Sequence, residues 1–465
     1  GRLAPGVVEK WEIAPDGLSW TFQVRKGVKF HDGSDLTGKD VKFSIERYMG
    51  KDAIMANVRN AVQRVELVDN YTVRVFTNSP SPFLPSSMSD PTPSQGLVMP
   101  MDYINKNGLD YFMKNPNGSG PWKMTKYVPA DSVQYTANEN YWLRVPAFKT
   151  LTVVVVPDPA TRVVMLKAGD LDVTNVSLDD TVALEKAGYT TYSLLAAQGA
   201  FLFHGTYDPR AKGLPTSDVR VREALQIAIN QDEISKTLFY GKALPIMPPR
   251  VLYGQEGVDS DYWVKYMKDL YKFDPARAKE LLKQAGYPNG FSGLKIHVFV
   301  QAGMEYVSKL AESVQFYWRQ IGANAEILPI DAANLVRWRA EPADPLVGQI
   351  TSLQTAYISP VVSNLESIYG SKSVYRLGGR KTETATEVYT PDLDKVVYAA
   401  LSEIDAKKRQ DLTAQMIKMA LDTRTAISFG QVPAVIAVGP KVKFNLKQPL
   451  EVSFPTQFAD MAEHR

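Results

Sequence analysis

The residues that could do chemistry are few and scattered. The four histidines, His31, His204, His297 and His464, stand far apart, and none is paired in sequence with another ligand type. There is no cysteine, which excludes disulfides, thiol catalysis, thiolate zinc sites and iron–sulfur clusters. Asp172, Asp179 and Asp180 invite a metal, but they lack a nearby histidine and EF-hand spacing, so no metal is assigned. The chain carries no G-x-S-x-G, no H-E-x-x-H, no Walker loop and no G-x-G-x-x-G. A carboxylate pair assembled in space, as in glycoside hydrolysis, stays open as an alternative. Binding is the better supported chemistry. Lys372, Arg376, Arg380 and Lys381 concentrate positive charge in a glycine-containing loop from Ser371 to Thr384. Such a run is ordinarily a solvated face. An arginine turned inward there would suit a carboxylate or phosphate, which guanidinium binds bidentately. Trp338, beside Arg337 and Arg339, could stack on a ring or sugar, though core packing is the commoner role at helical spacing.

These residues need a frame. The 465 residues suffice for roughly three domain-sized units of about 150 residues each. Apolar residues make up 45% and charged residues 22%, an ordinary globular composition. Lys plus Arg is 53 against 50 for Asp plus Glu, a net +3 with the two signs interspersed. With no polybasic block, nucleic acid and anionic membrane surfaces are not expected partners. The longest apolar run, Leu151 to Val156, is far below the roughly 18 residues of a membrane span. No signal peptide stands at the start, which reads Gly1-Arg2-Leu3.

Trp11 to Arg47 is the most strongly patterned stretch. Pro15-Asp16-Gly17 is turn chemistry, and Trp20 to Arg25 alternates with the period of a half-buried strand. Thr37 and Asp40 have capping-box spacing, followed by Val41, Ile45 and Tyr48 on one helical face. Gln63 to Val68 and Thr72 to Phe76 flank a turn and predict a hairpin. Asn117 to Trp122 is a boundary rich in turn formers. Leu151 to Val156 is continuous and β-branched, the profile of a strand buried on both faces of a parallel sheet. Asp158, Pro159 and Gly169 delimit one helix, Asp218 caps another, and Asp274, Pro275 and Gly286 delimit a third. Strand Leu294 to Val300, a helix from Met304 to Ile321 and strand Ala325 to Ile330 form a βαβ unit. Ala434 to Val438 reads as a strand returning to the middle of the chain.

The pattern W-E-x-x-x-D-G-x-x-W-T-F-x-x-R-x-G-V-K-F-H-D-G-x-x-L-T-x-x-D-V-x-F-S-x-E-R, from Trp11 to Arg47, resembles the signature of the family 5 extracellular solute-binding proteins. Asn117 to Trp122, Ala137 to Trp142, Ala168 to Val173 and Asp218 to Leu225 match further motifs of that family, so the resemblance covers essentially the whole chain. It implies an α/β, periplasmic-binding-protein-like two-lobe hinged fold with an additional α+β subdomain and mixed sheets. The implied division is a peripheral lobe over 1–119, a first ligand-facing lobe over 120–245 plus 436–465, and a second over 246–435. Relatives carry a further strand and segment before the equivalent of Leu3 to Gly6.

The resemblance also implies a function. The chain is expected to be the substrate-binding protein of an ABC importer, periplasmic and monomeric, handing a small solute to an integral-membrane permease, with no catalysis and no cofactor. In peptide-binding relatives an Asp-Tyr-x-x-Pro motif pairs its carboxylate with the ligand's ammonium group, because a buried charge must be matched. Here the segment runs Thr355-Ala356-Tyr357-Ile358-Ser359-Pro360, with Ala356 in place of the aspartate and Leu353 where a Trp often occurs. The expected ligand is therefore a polar or anionic organic solute rather than an unmodified peptide. A peptide, nickel or haem receptor of the same family is the alternative. The family also places His204, which stands where relatives have Asn, and Asn175 at the cleft. The expected ligand contacts are thus Thr355, Ala356, Tyr357, His204, Asn175, Trp338, Arg376 and Arg380.

Overall fold

A computed structural model describes the chain except residues 1–2, 52, 54–56, 90–95, 256, 301–305, 341–345, 356–359, 371–378, 382–385, 389, 445–461 and 465. For residues 57, 193–196, 336, 339–340, 354–355, 379–381, 386–388, 433, 443–444 and 462–464 it describes the backbone alone.

The peripheral lobe is an antiparallel sheet of β1 (Val8–Ile13), β2 (Ser19–Val24), β3 (Val62–Asp69) and β4 (Thr72–Thr77), in the order β1-β2-β4-β3. The alternation in β2 buries Trp20, Phe22 and Val24 against Val41 and Ile45 of the Gly38–Tyr48 helix. That helix starts at Thr37, whose backbone N–H donates to Asp40 Oδ2 at 2.9 Å. Asp40 is buried because its other oxygen, Oδ1, accepts from the N–H of Met101 at 3.0 Å. His31 fastens this lobe to the next segment. The Gly118 N–H donates to its Nδ1 at 3.3 Å, and its Nε2 lies 3.0 Å from the Gly120 carbonyl. These bonds select the neutral ring, and burial lowers its pKa below the usual imidazole value.

Next come β5 (Trp122–Val128), β6 (Ser132–Ala137) and β7 (Thr150–Val154), an antiparallel three-stranded sheet. Here the sequence reading is corrected. The Leu151 to Val156 run is neither parallel nor buried on both faces, for β7 pairs antiparallel to β6 and Val153, Val154 and Val155 are exposed. A short β-branched run specifies a strand but not how many of its faces are covered.

The centre is a six-stranded mixed sheet in the order β11-β10-β12-β9-β15-β8. Its strands are β8 (Val173–Val176), β9 (Thr190–Phe203), β10 (Phe291–Val298), β11 (Ala323–Pro329), β12 (Ile350–Thr355) and β15 (Ala426–Val438). β13 (Gly379–Lys381) and β14 (Thr386–Val388) pair separately. β10 runs parallel to β11 and β12, as the βαβ pattern requires, and the remaining pairings are antiparallel.

Among the described residues, the sheet carries a smaller and a larger core. The smaller holds Leu166, Val176, Leu184, Val435 and Ala437. The larger runs from Ala200 through the helix Val219–Ile227 to Trp318, Leu365 and Val432. The larger core thus takes in residues on both sides of position 245. Val221, Ala224 and Leu225 bury against the second lobe, where Trp318 Nε1 donates to the Leu225 carbonyl at 2.8 Å. A capped amphipathic helix announces that it has a buried face without saying which lobe receives it. Among the described residues no helix is long and apolar enough to cross a membrane.

Candidate functional site at the strand crossing

β9 and β15 are long because each serves both lobes. Toward the first lobe, Thr190 to Leu194 pair with Ala434 to Val438, which also hold β8. Toward the second, Gln198 to Phe203 pair with β12 and with the start of β15. The register shifts between Ser428 and Gln431 and again between Val432 and Ala434. Proline has no N–H to give a ladder and is tolerated at such a bulge, which is where Pro433 stands. Two strands bulged where they pass between cores are the mechanical elements of a hinge.

Two buried glutamines lie at this crossing. Gln198 Nε2 donates to the carbonyls of Met247 at 3.1 Å, Pro248 at 3.0 Å and Val251 at 3.2 Å. Its Oε1 accepts from the Arg250 N–H at 2.8 Å. One amide thus fixes the whole 247–251 turn to the crossing. Gln431 Oε1 accepts from the Tyr253 N–H at 2.5 Å, while its Nε2 is buried with no partner among the described residues. Arg250 is held in left-handed backbone at φ 68° and is 5% exposed. Its Nε donates to the Asn364 carbonyl at 3.3 Å and its Nη2 to Ser367 Oγ at 2.8 Å, both on the helix Val361–Tyr369 that follows Pro360. A cation and a strained backbone thus meet the amide of Gln198 at the crossing and the helix Val361–Tyr369 beyond it. Polar residues inside apolar strands were the available signal for the glutamines; Arg250, in Pro-Pro-Arg-Val, read as part of an ordinary turn.

The sheet register tells which expected residues share this place. β10, β11 and β12 are parallel to one another, and ligands of open α/β sheets lie beyond the carboxyl ends of such strands. Thr355 ends β12 directly opposite Gln198, so its backbone is at the crossing. Ala356, Tyr357 and Arg376 lie outside the described residues. Arg380 is placed in β13 by its backbone alone. Asn175 pairs with Ile436 on the first-lobe side; its neighbours Thr174 and Val176 turn inward and its own side chain is exposed.

His204 and Trp338 are placed elsewhere. His204 follows the far end of β9, its N–H donating to the Gln349 carbonyl, before β12 begins. From residue 198 to 204, at about 3.3 Å per residue, this is roughly 20 Å from the crossing. It is 1% exposed, with Nε2 2.7 Å from Thr351 Oγ1. The register therefore does not bring His204 together with Thr355; β9 enters the second lobe at the crossing and ends beyond it. Trp338 packs edge-to-face on His297 with ring centroids 5.4 Å apart, beside Ile330, Leu335 and Leu346. Burial, with Lys295 nearby, lowers the His297 pKa.

Other motif residues are structural. Arg222, 1% exposed, donates to the carbonyls of Thr423, Thr216 and Ser217 and to the Tyr207 hydroxyl. Asp180 accepts from Ser177 Oγ at 2.6 Å, and the Ser177 hydroxyl caps the helix Leu178–Lys186. A cavity of about 360 Å³ lined by Phe239, Met267 and Tyr271 belongs to the second lobe alone. Among the described residues no group of three or more His, Asp or Glu is gathered as a metal would need.

The family model described as bacterial extracellular solute-binding proteins, family 5, middle, matches residues 2–369. Haem-binding protein A of Haemophilus influenzae is 28% identical over 372 residues, 74% of this chain and 65% of that protein. The dipeptide-binding protein of Escherichia coli is 29% identical over 363 residues, 70% of this chain and 63% of that protein. The chain therefore spans less than two thirds of the length of these curated relatives. Two solved structures share the fold. The periplasmic binding protein DppA of Helicobacter pylori, in complex with the peptide STSA, superposes with a TM-score of 0.77 at 22% identity, covering 99% of this chain and 89% of that one. The binding protein AgaA of A. tumefaciens, in complex with agropinic acid, gives 0.78 at 22% identity, covering 100% and 90%. With a two-lobed sheet crossed by two bulged strands, and a family match over most of its length, this chain belongs to the family 5 bacterial extracellular solute-binding proteins.

Proposed function

We propose that this chain is the solute receptor of an ABC importer, closing its two lobes on a small polar or anionic organic molecule and presenting it to a membrane permease. It would act as an exported monomer, without catalysis. The observation that carries the transport reading is the crossing itself, since two bulged strands between two cores give lobes that can close on a ligand. The ligand class follows from charge. Ala356 removes the carboxylate that would match an ammonium group, and a buried guanidinium, Arg250, is bonded to the helix Val361–Tyr369 that follows this segment in the chain. A buried cation suits a carboxylate and opposes a second cation.

A thermal-shift panel of di- and tripeptides, organic acids, sugars and metal ions tests this. A ligand present at a hundred times its Kd stabilises by about 2.7 kcal/mol, which a melting curve resolves. Stabilisation by organic acids or sugar acids, lost in Arg250→Met, is the expected result. Stabilisation by di- and tripeptides alone would show that the Ala356 reasoning fails and that the receptor takes peptides.

A further inference from the structure

Asp179 is the second residue of the Leu178–Lys186 helix, which packs on the smaller core. Its carboxylate nevertheless reaches across to the other lobe: Oδ1 accepts from the Tyr240 hydroxyl at 2.6 Å and Oδ2 from Lys309 Nζ at 2.8 Å. Lys309 lies in the first turn of the helix Tyr306–Gln320, which starts at the carboxyl end of β10. Tyr240 is aimed by a left-handed backbone at φ 54°, a conformation disfavoured for a non-glycine residue. The Asp179 carboxyl is held below its usual range, first by Lys309 and then by Tyr240, and Lys309 is raised by the same bond. The lobes also touch elsewhere. Arg409 of the second lobe lies over the Phe83 ring of the peripheral lobe at 5.2 Å, and Ile404 packs against Gly17.

We propose that Asp179, Tyr240 and Lys309 form an interlobe latch that sets how often the unliganded protein is closed. The helix of Asp179 begins just after β8, beside the crossing, and Lys309 stands near the carboxyl end of the second lobe's parallel strands. Rotation about the crossing must therefore part the carboxylate from both donors. All three side chains are solvent-accessible, so the latch is weak, shifts with ionic strength, and biases the lobes without locking them. A receptor latched too tightly would bind slowly, and one without a latch would bind with reduced apparent affinity, because affinity scales with the fraction already competent.

The test needs no ligand, so its outcome is independent of the cargo proposed above. Because the chain has no cysteine, Val164→Cys and Phe316→Cys place one spin label on each lobe at exposed positions. Pulsed dipolar spectroscopy then gives the interlobe distance distribution. Asp179→Ala and Lys309→Met should each lower the closed-to-open ratio about two- to tenfold, with the double variant no lower than Asp179→Ala alone. The reversed pair, Asp179→Lys with Lys309→Asp, should recover part of the loss, and 0.5 M salt, raised from about 0.05 M, should open the wild type but not Asp179→Ala. Distance distributions unchanged in both single variants, with melting temperatures intact, would overturn the latch.

Discussion

Replacing Gln198 by Met keeps the volume at the crossing and deletes the amide. The consequence can be worked bond by bond. The Met247 carbonyl retains Ser428 Oγ at 2.7 Å, and the Pro248 carbonyl retains the Val251 N–H at 3.0 Å. The Arg250 N–H and the Val251 carbonyl lose the partners that Gln198 supplied. A buried donor left without a partner costs about 1–3 kcal/mol and a lost carbonyl bond roughly 1 kcal/mol more, so the change should cost about 2–4 kcal/mol. For a unit the size of the second lobe, 1 kcal/mol corresponds to about 2–4 °C, which puts the fall in Tm at roughly 5–15 °C. Differential scanning calorimetry measures it. Gln431→Met is the matched control, since it loses one bond from Tyr253 and removes one buried donor that has no partner among the described residues. It should move Tm by no more than about 3 °C, the equivalent of roughly 1 kcal/mol or less. Equal effects at the two glutamines would refute the reasoning, because burial alone, and not the bonding of the amide, would then govern.

Two further predictions concern the frame. His31 has a lowered pKa in the folded protein, so the unfolded chain takes up its proton first as pH falls. Its contribution is full above about pH 6.5 and is lost as pH drops toward the folded value; Tm followed from pH 7.5 to pH 5 should fall less steeply in His31→Gln than in the wild type. Gly290 has φ 78°, and a Cβ there would sit 2.1 Å from the Gly322 carbonyl oxygen. Gly290→Ala should cost at least about 2 kcal/mol in urea unfolding, against about 1 kcal/mol for Gly293→Ala, where the φ is also positive but the space is open.

What the sequence made legible was whatever depends on near neighbours. The Thr37–Asp40 box, the caps at Asp158, Asp218 and Asp274, and the alternation of Trp20, Phe22 and Val24 all involve residues a few positions apart, and all form. The βαβ unit was legible for the same reason, since its strand and helix periods are written side by side. Which lobe receives a helix was not, because burial against Trp318 is a decision made at long range. The exposure of Val153 and Val154 was hidden likewise, since a strand's neighbours are not in its own sequence. At the crossing, Thr355 was singled out through its motif, whereas the bonding of Gln198 and Arg250 was not legible because it reaches residues roughly 50 and 114 positions away. His204 was assigned on the end of its strand, and only the register with β12 shows which end that is.

The mounting of β12 has a consequence for how new specificities arise. The strand is gripped on one flank by β9 and on the other by β10, and its last residue is registered against the crossing. Among the described residues the ladder ends at Thr355 and the larger core resumes only at Val361. The ladder that mounts the strand is thus complete by Thr355, before the segment that follows it. On the proposed function, mutational drift, or a designer building a biosensor, would exchange the cargo through that segment while the closing movement that reports its capture stays intact. Evolvability here is a property of sheet register, and the place to graft begins at a single peptide bond.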